Sequence, residues 1–113
     1  MDEEHLYILW TTDNLITCDK MIFMYAINSM RKGWWKNVTI IMWGAATKFA
    51  CENELIQKKI GLAINEGIKI TACKACADQL GVGETLETLG VEVKYWGEPL
   101  TNLLKNDEKI IYI

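Results

Sequence analysis

Ile68-Lys69-Ile70-Thr71-Ala72-Cys73-Lys74-Ala75-Cys76-Ala77-Asp78-Gln79-Leu80-Gly81-Val82 decides the fold class. The run from Ile68 to Ala72 is short, apolar and β-rich, as a buried strand is. Cys73 to Leu80 then predicts a short helix that Gly81 stops. A strand that passes directly into a helix is half of a β–α–β unit. The same alternation recurs on both sides of it.

Upstream, Leu6 to Trp10 is an apolar run bounded by Thr11-Thr12-Asp13, and it predicts the first buried strand. Thr12 or Asp13 is placed to cap a helix that runs to about Arg31, with Gly33 at its C-terminal end. Val38 to Trp43 is rich in β-branched residues and ends at Gly44, the second strand. Ala46 to Glu66 predicts a helix or helix pair with Leu55, Ile56, Ile60, Ala63 and Ile64 on one face. Downstream, Thr85 to Leu89 predicts a helical turn or two ending at Gly90, and Val91 to Trp96 a fourth strand. Pro99 suits the first turn of a helix carrying Leu100, Leu103 and Leu104, and Lys109 to Ile113 predicts a last strand. Five apolar strands separated by helices imply an α/β fold, a central and mostly parallel five-stranded sheet covered on both faces.

Length and composition agree. One domain spanning residues 1–113 is expected, since the chain is too short for two independent cores. Half of the residues are hydrophobic and 24% are charged, a globular balance rather than a disordered one. Twelve basic and fifteen acidic side chains give a net charge of −3, and the basic residues form no stripe, so direct nucleic-acid binding is not expected. Arg31–Lys32 and Lys58–Lys59 read as solvated helix surface. Met1-Asp2-Glu3-Glu4 carries the wrong charge for a secretory leader, and Leu15 to Met30 is broken by Asp19 and Lys20 and too short for a bilayer. A cytoplasmic location without membrane contact is the expectation, with the four cysteines reduced.

The first helix has Leu15, Ile16, Ile22, Phe23, Ala26, Ile27 and Met30 for a core face, while Met21, Met24 and Tyr25 extend apolar character to the other side. Burial on more than one side predicts a subunit interface, and Trp34-Trp35 supports it, because Met and aromatics are enriched at interfaces.

The chemistry centres on Cys73. A cysteine at a strand–helix junction meets first-turn N–H groups and the helix dipole, which favour the thiolate, and Lys74 adds a nearby positive charge. The thiolate is itself a nucleophile, so no general base is needed. His5, the one histidine, belongs to the far end of the first strand. Cys76 lies one helical turn further on, as a resolving thiol, a second acceptor or a packed core residue. Cys18 and Cys51 fall within helical patterns and are expected in the core or an interface. Trp10, Thr11 and Trp43-Gly44, at carboxyl ends of strands, are candidates for a pocket around Cys73.

At these residues the chain resembles the DsrE/DsrF-like sulfur-relay family, which includes the TusD and YchN proteins. The resemblance rests on an ordered set spanning nearly the whole chain. The set comprises the second strand ending in Trp43-Gly44, Ala50-Cys51-Glu52-Asn53-Glu54, the Cys73 to Gly81-Val82 segment, Leu89-Gly90-Val91 and Trp96-Gly97-Glu98-Pro99-Leu100. It implies a three-layer α/β/α domain assembling into homo-oligomers, trimers or hexamers. It also implies a sulfurtransferase-like role: Cys73 takes sulfane sulfur from a donor protein as a persulfide and relays it to an acceptor cysteine. Cys76 matches a second cysteine found in only some relatives.

Other readings remain open on the residues alone. Cys73 and Cys76 also suit a dithiol redox protein. A chain that keeps the fold as a non-catalytic subunit of a relay complex is the bland alternative. One C-x-x-C supplies two of the four ligands of structural zinc, so no metal is expected. Neither G-x-G-x-x-G nor a Walker-type loop is present, so no nucleotide cofactor is expected.

Overall fold

The computed structural model describes residues 4–113. Five strands form one sheet in the order β4-β3-β2-β1-β5, and every pairing is parallel. They are β1 (His5–Trp10), β2 (Asn37–Met42), β3 (Lys69–Cys73), β4 (Glu92–Lys94) and β5 (Lys109–Tyr112). Helices pack around the sheet in the three-layer α/β/α arrangement.

Between β1 and β2 runs one continuous helical rod: α1 (Leu15–Thr17), a π-helical segment (Cys18–Phe23) and α2 (Met24–Arg31). Two helices, α3 (Ala45–Glu52) and α4 (Glu54–Asn65), lead to β3, and α5 (Lys74–Leu80) and α6 (Gly83–Thr88) lead to β4. The last helix, α7 (Gly97–Lys105), precedes β5. From β1 to β4 the chain steps across the sheet in one direction, so right-handed crossovers put α1 to α6 on one face. The step from β4 to β5 reverses direction and carries α7 to the other.

Burial follows that division. Leu6, Ile8 and Trp10 of β1 and Val38, Ile40 and Met42 of β2 join Phe23, Ile56 and Ile60 of the helices in one large core. Trp10 and Phe23 meet edge to face with centroids 5.4 Å apart, a contact that adds about 0.5–1.5 kcal/mol to area burial. On the opposite face Ile41 and Thr71 are buried outside that cluster. There the Trp96 indole N–H donates to the Thr71 hydroxyl at 2.8 Å, and that hydroxyl donates to the Glu92 carbonyl at 2.8 Å.

Local departures from the sequence pattern have physical causes. Asn14 caps the first helix, its Oδ1 accepting from the Thr17 N–H at 2.9 Å, whereas the Thr12 hydroxyl accepts from Asn14 N–H. The helix therefore begins later than Thr12 or Asp13 would start it. The π turns then shift the inward face to Cys18, Ile22 and Phe23, leaving Leu15 and Ile16, expected in the core, exposed. The expected span from Ala46 to Glu66 is a helix pair, broken where Asn53 leaves α3 and caps α4 by accepting from Ile56 N–H at 3.0 Å. Leu55, counted on its core face, is also exposed. Strand β4 is shorter than expected because β3 pairs with it only from Thr71 to Cys73. No helix among the described residues is long and apolar enough to cross a membrane.

Candidate functional site: a thiol pair beside a cleft

Parallel strands deliver their carboxyl ends to one edge of the sheet, where loops leave room for ligands. At that edge a cleft of about 390 Å³ opens between the start of α3 and the outer side of α5. Asp13 reaches it from the loop after β1. Gly44, Ala45, Lys48, Phe49 and Glu52 line it from β2 and α3, and Cys76, Gln79 and Leu80 line it from α5.

Cys73 ends β3 and occupies the N-cap of α5 in an extended conformation, φ −67° and ψ 117°. It is only 3% exposed and does not line the cleft. Its side chain makes no capping bond to the first-turn N–H groups, which were expected to hold a thiolate there. Lys74, expected to lend it positive charge, instead grips the Asp78 carboxylate at 2.9 and 3.0 Å and lies 5.6 Å from the Tyr95 ring centroid. Position i+4 on the same helix puts Asp78 within reach of the ammonium, and the hydrogen bond to it raises the Lys74 pKa.

Cys76 is half-buried and is the thiol that faces the cleft. It is the third residue of α5, one helical turn beyond Cys73 at the N-cap. Burial pushes the Cys76 thiol above its ordinary range. The Gly44 N–H pulls it down, and the Cys73 hydrogen bond and charge push it up again. Gly44 enters the cleft with φ 65° and ψ −132°, a conformation open to glycine, as it turns the chain from β2 into α3.

The other residues singled out from sequence are dispersed. Gly44 belongs to the cleft, but Trp10 is fully buried, its indole N–H directed to the Thr12 carbonyl at 2.8 Å and to Cys18 Sγ at 3.2 Å. Thr11 binds the Ile113 carbonyl through both N–H and hydroxyl, and Trp43 is not among the lining residues. Cys18 is sealed in the core, where burial raises its thiol pKa, and Cys51 packs against that core. His5 lies at the amino end of β1, with Nε2 2.8 Å from the Thr39 hydroxyl. Lys48 and Phe49 had no motif to flag them, and Glu52 had figured only in the family resemblance. Only a helical projection of α3 from Gly44 puts Ala45, Lys48, Phe49 and Glu52 on one face.

The solved structure of BT1422, a conserved protein of unknown function from Bacteroides thetaiotaomicron, is similar to this chain at 45% sequence identity. The match covers 97% of this chain and 95% of that one, with a TM-score of 0.96. This chain belongs to the BT1422 family. The ychN protein from E. coli matches over the full length of both chains with a TM-score of 0.73 and 16% identity, so the BT1422-family chain has a DsrE/YchN-like fold. No protein-family model and no curated protein matches it.

Proposed function

We propose that this protein is a thiol-based carrier of sulfane sulfur. Cys76 takes up the sulfur as a persulfide from the cleft, and an acceptor cysteine collects it there. Cys73, first expected to bear the persulfide, acts as the immediate neighbour of that sulfur. The observation that carries the proposal is the pair itself, two thiols one helical turn apart of which only Cys76 meets the cleft. Sulfur exchange requires a thiolate, a sulfur to attack and in-line access. The Gly44 N–H gives the Cys76 sulfur a donor that stabilises negative charge. A donor and an acceptor protein would approach the same opening, in a compartment reducing enough to keep the thiols free, which fits the cytoplasm. Exposed Ile16, Met21 and Met24 on the first helical rod fit a contact between copies of the chain.

Intact mass after treatment with a small-molecule sulfane-sulfur donor tests this. The Cys73→Ser protein should gain about 32 Da, one sulfur atom, and lose it to reductant. The Cys76→Ser protein should gain none. Uptake that survives Cys76→Ser, or no uptake by the folded Cys73→Ser protein, removes the proposal. A dithiol redox role draws on the same pair of thiols. It would be favoured by a native protein that readily loses two hydrogens on mild oxidation while Cys73→Ser acquires no sulfur.

A further inference from the structure

The carrier reading leaves one buried nucleophile unused. Cys73 sits at the N-cap of α5, one helical turn from the sulfur that would bear the persulfide, and it is buried whereas Cys76 meets the cleft. Attack at a sulfur atom requires the incoming, central and leaving sulfurs in line. With Cys73 as the attacking thiol, the outer sulfur on Cys76 is the leaving group, and the cleft that Cys76 lines gives it a way out. We propose that Cys73 is a resolving thiol that limits the lifetime of the Cys76 persulfide and discharges its outer sulfur as hydrogen sulfide. The proposal rests on the carrier reading and assigns the pair a sulfide-releasing activity whenever no acceptor thiol collects the sulfur.

The step balances. The Cys73 thiolate attacks the inner sulfur of the Cys76 persulfide, and a Cys73–Cys76 disulfide forms as the bond to the outer sulfur breaks. That sulfur leaves as hydrosulfide and takes up the proton that Cys73 gave to water. The two cysteines are oxidised and the sulfane sulfur is reduced to sulfide. A dithiol reductant returns the pair to its starting state through ordinary thiol–disulfide exchange. Attack at the inner sulfur expels hydrosulfide, whereas attack at the outer sulfur would expel the Cys76 thiolate; hydrosulfide is the better leaving group, because its conjugate acid is stronger than a cysteine thiol. Proximity favours the intramolecular route over any thiol in solution. Neither other cysteine competes for this role. Cys18 is held in the core by the Trp10 indole, and Cys51 is turned to the Val82 carbonyl.

The test is a time course on the native protein with a small-molecule persulfide as donor and no acceptor protein, following intact mass and dissolved sulfide together. The expected result is a transient gain of about 32 Da that decays to a species two hydrogens lighter than the starting protein. About one equivalent of sulfide should appear with that decay, and a dithiol should restore the original mass. Cys73→Ser and Cys73→Ala should both hold the added sulfur at least tenfold longer and release no sulfide. A native protein that keeps its added sulfur as long as these variants do would overturn the resolving role while leaving the carrier role standing. If both folded variants take up no sulfur, the carrier role fails and the resolving role with it.

Discussion

Replacing Gly44 by alanine should destabilise the protein, and the same replacement at Gly61 should stabilise it. At neither position would the added methyl meet another atom within 4 Å, so packing is removed from the comparison. What differs is the backbone. Gly44 has φ 65° and ψ −132°, outside the regions an L-residue occupies without strain. Holding alanine there costs about 1–3 kcal/mol. Gly61 is an exposed position inside α4, where alanine is better than glycine by about 0.5–1 kcal/mol. For a domain of this size 1 kcal/mol moves Tm by about 4–8 °C. Gly44→Ala should therefore melt lower by at least several degrees, and Gly61→Ala higher by a few. Thermal denaturation followed by far-ultraviolet circular dichroism measures both. The strain argument is refuted if Gly44→Ala melts at or above the native temperature. A second readout belongs to the site. Because Gly44 and Cys76 line the same cleft, Gly44→Ala should also change the alkylation rate of Cys76, whereas Gly61→Ala should not.

Alkylation of the folded protein should modify Cys76 first and spare Cys18 and Cys73, as peptide mapping after a short iodoacetamide pulse would show; early labelling of Cys73 would contradict its burial. The Cys76 rate should still be climbing above pH 9, since burial raises its thiol above the ordinary value of 9.0 and the reactive thiolate accumulates only as pH rises through that higher pKa. Asn53→Ala removes the side-chain acceptor for Ile56 N–H at the start of α4 and should cost about 1 kcal/mol in chemical denaturation. Trp96→Phe keeps the ring but deletes the N–H that binds the Thr71 hydroxyl, and should cost about 0.5–1.5 kcal/mol, with no change expected in Cys76 alkylation.

All five strands were legible because a parallel sheet covered on both faces demands continuous apolar runs, and Leu6 to Trp10 or Val38 to Met42 can hardly serve elsewhere. Boundaries were less legible where one polar group competes with another. Asn14 rather than Thr12 or Asp13 caps the first helix because the Thr12 oxygen is already taken by the Asn14 N–H. The π segment has no compositional mark, and it exposes Leu15 and Ile16 by changing the angular step between residues. At the site, the spacing of Cys73 and Cys76 announced a thiol pair. Which thiol meets solvent depends on where α3 settles, and that is a property of the tertiary packing. Of the strand-end candidates Trp10, Thr11 and Trp43-Gly44, only Gly44 lines the cleft, because which strand-end residues face it is likewise decided by packing.

The usual means of activating a cysteine are diverted one by one in this protein. Its histidine sits at the amino end of β1, remote from the carboxyl edge, with Nε2 beside the Thr39 hydroxyl. Lys74 spends its charge on Asp78. The Cys73 side chain makes no capping bond to the first turn of α5, and burial raises rather than lowers the Cys76 thiol pKa. A hydrolytic or alkylating mechanism, which depends on a standing thiolate or a general base, gains nothing from such a site. Exchange between sulfurs is less demanding. Thiol nucleophilicity falls as pKa falls, so a thiol of ordinary or raised pKa attacks well once deprotonated, and the identity of the leaving sulfur matters as much as the attacker. Two thiols one helical turn apart supply proximity, which the other devices do not. The site is thus better matched to passing sulfur or electrons along a short chain of sulfur atoms than to chemistry on carbon.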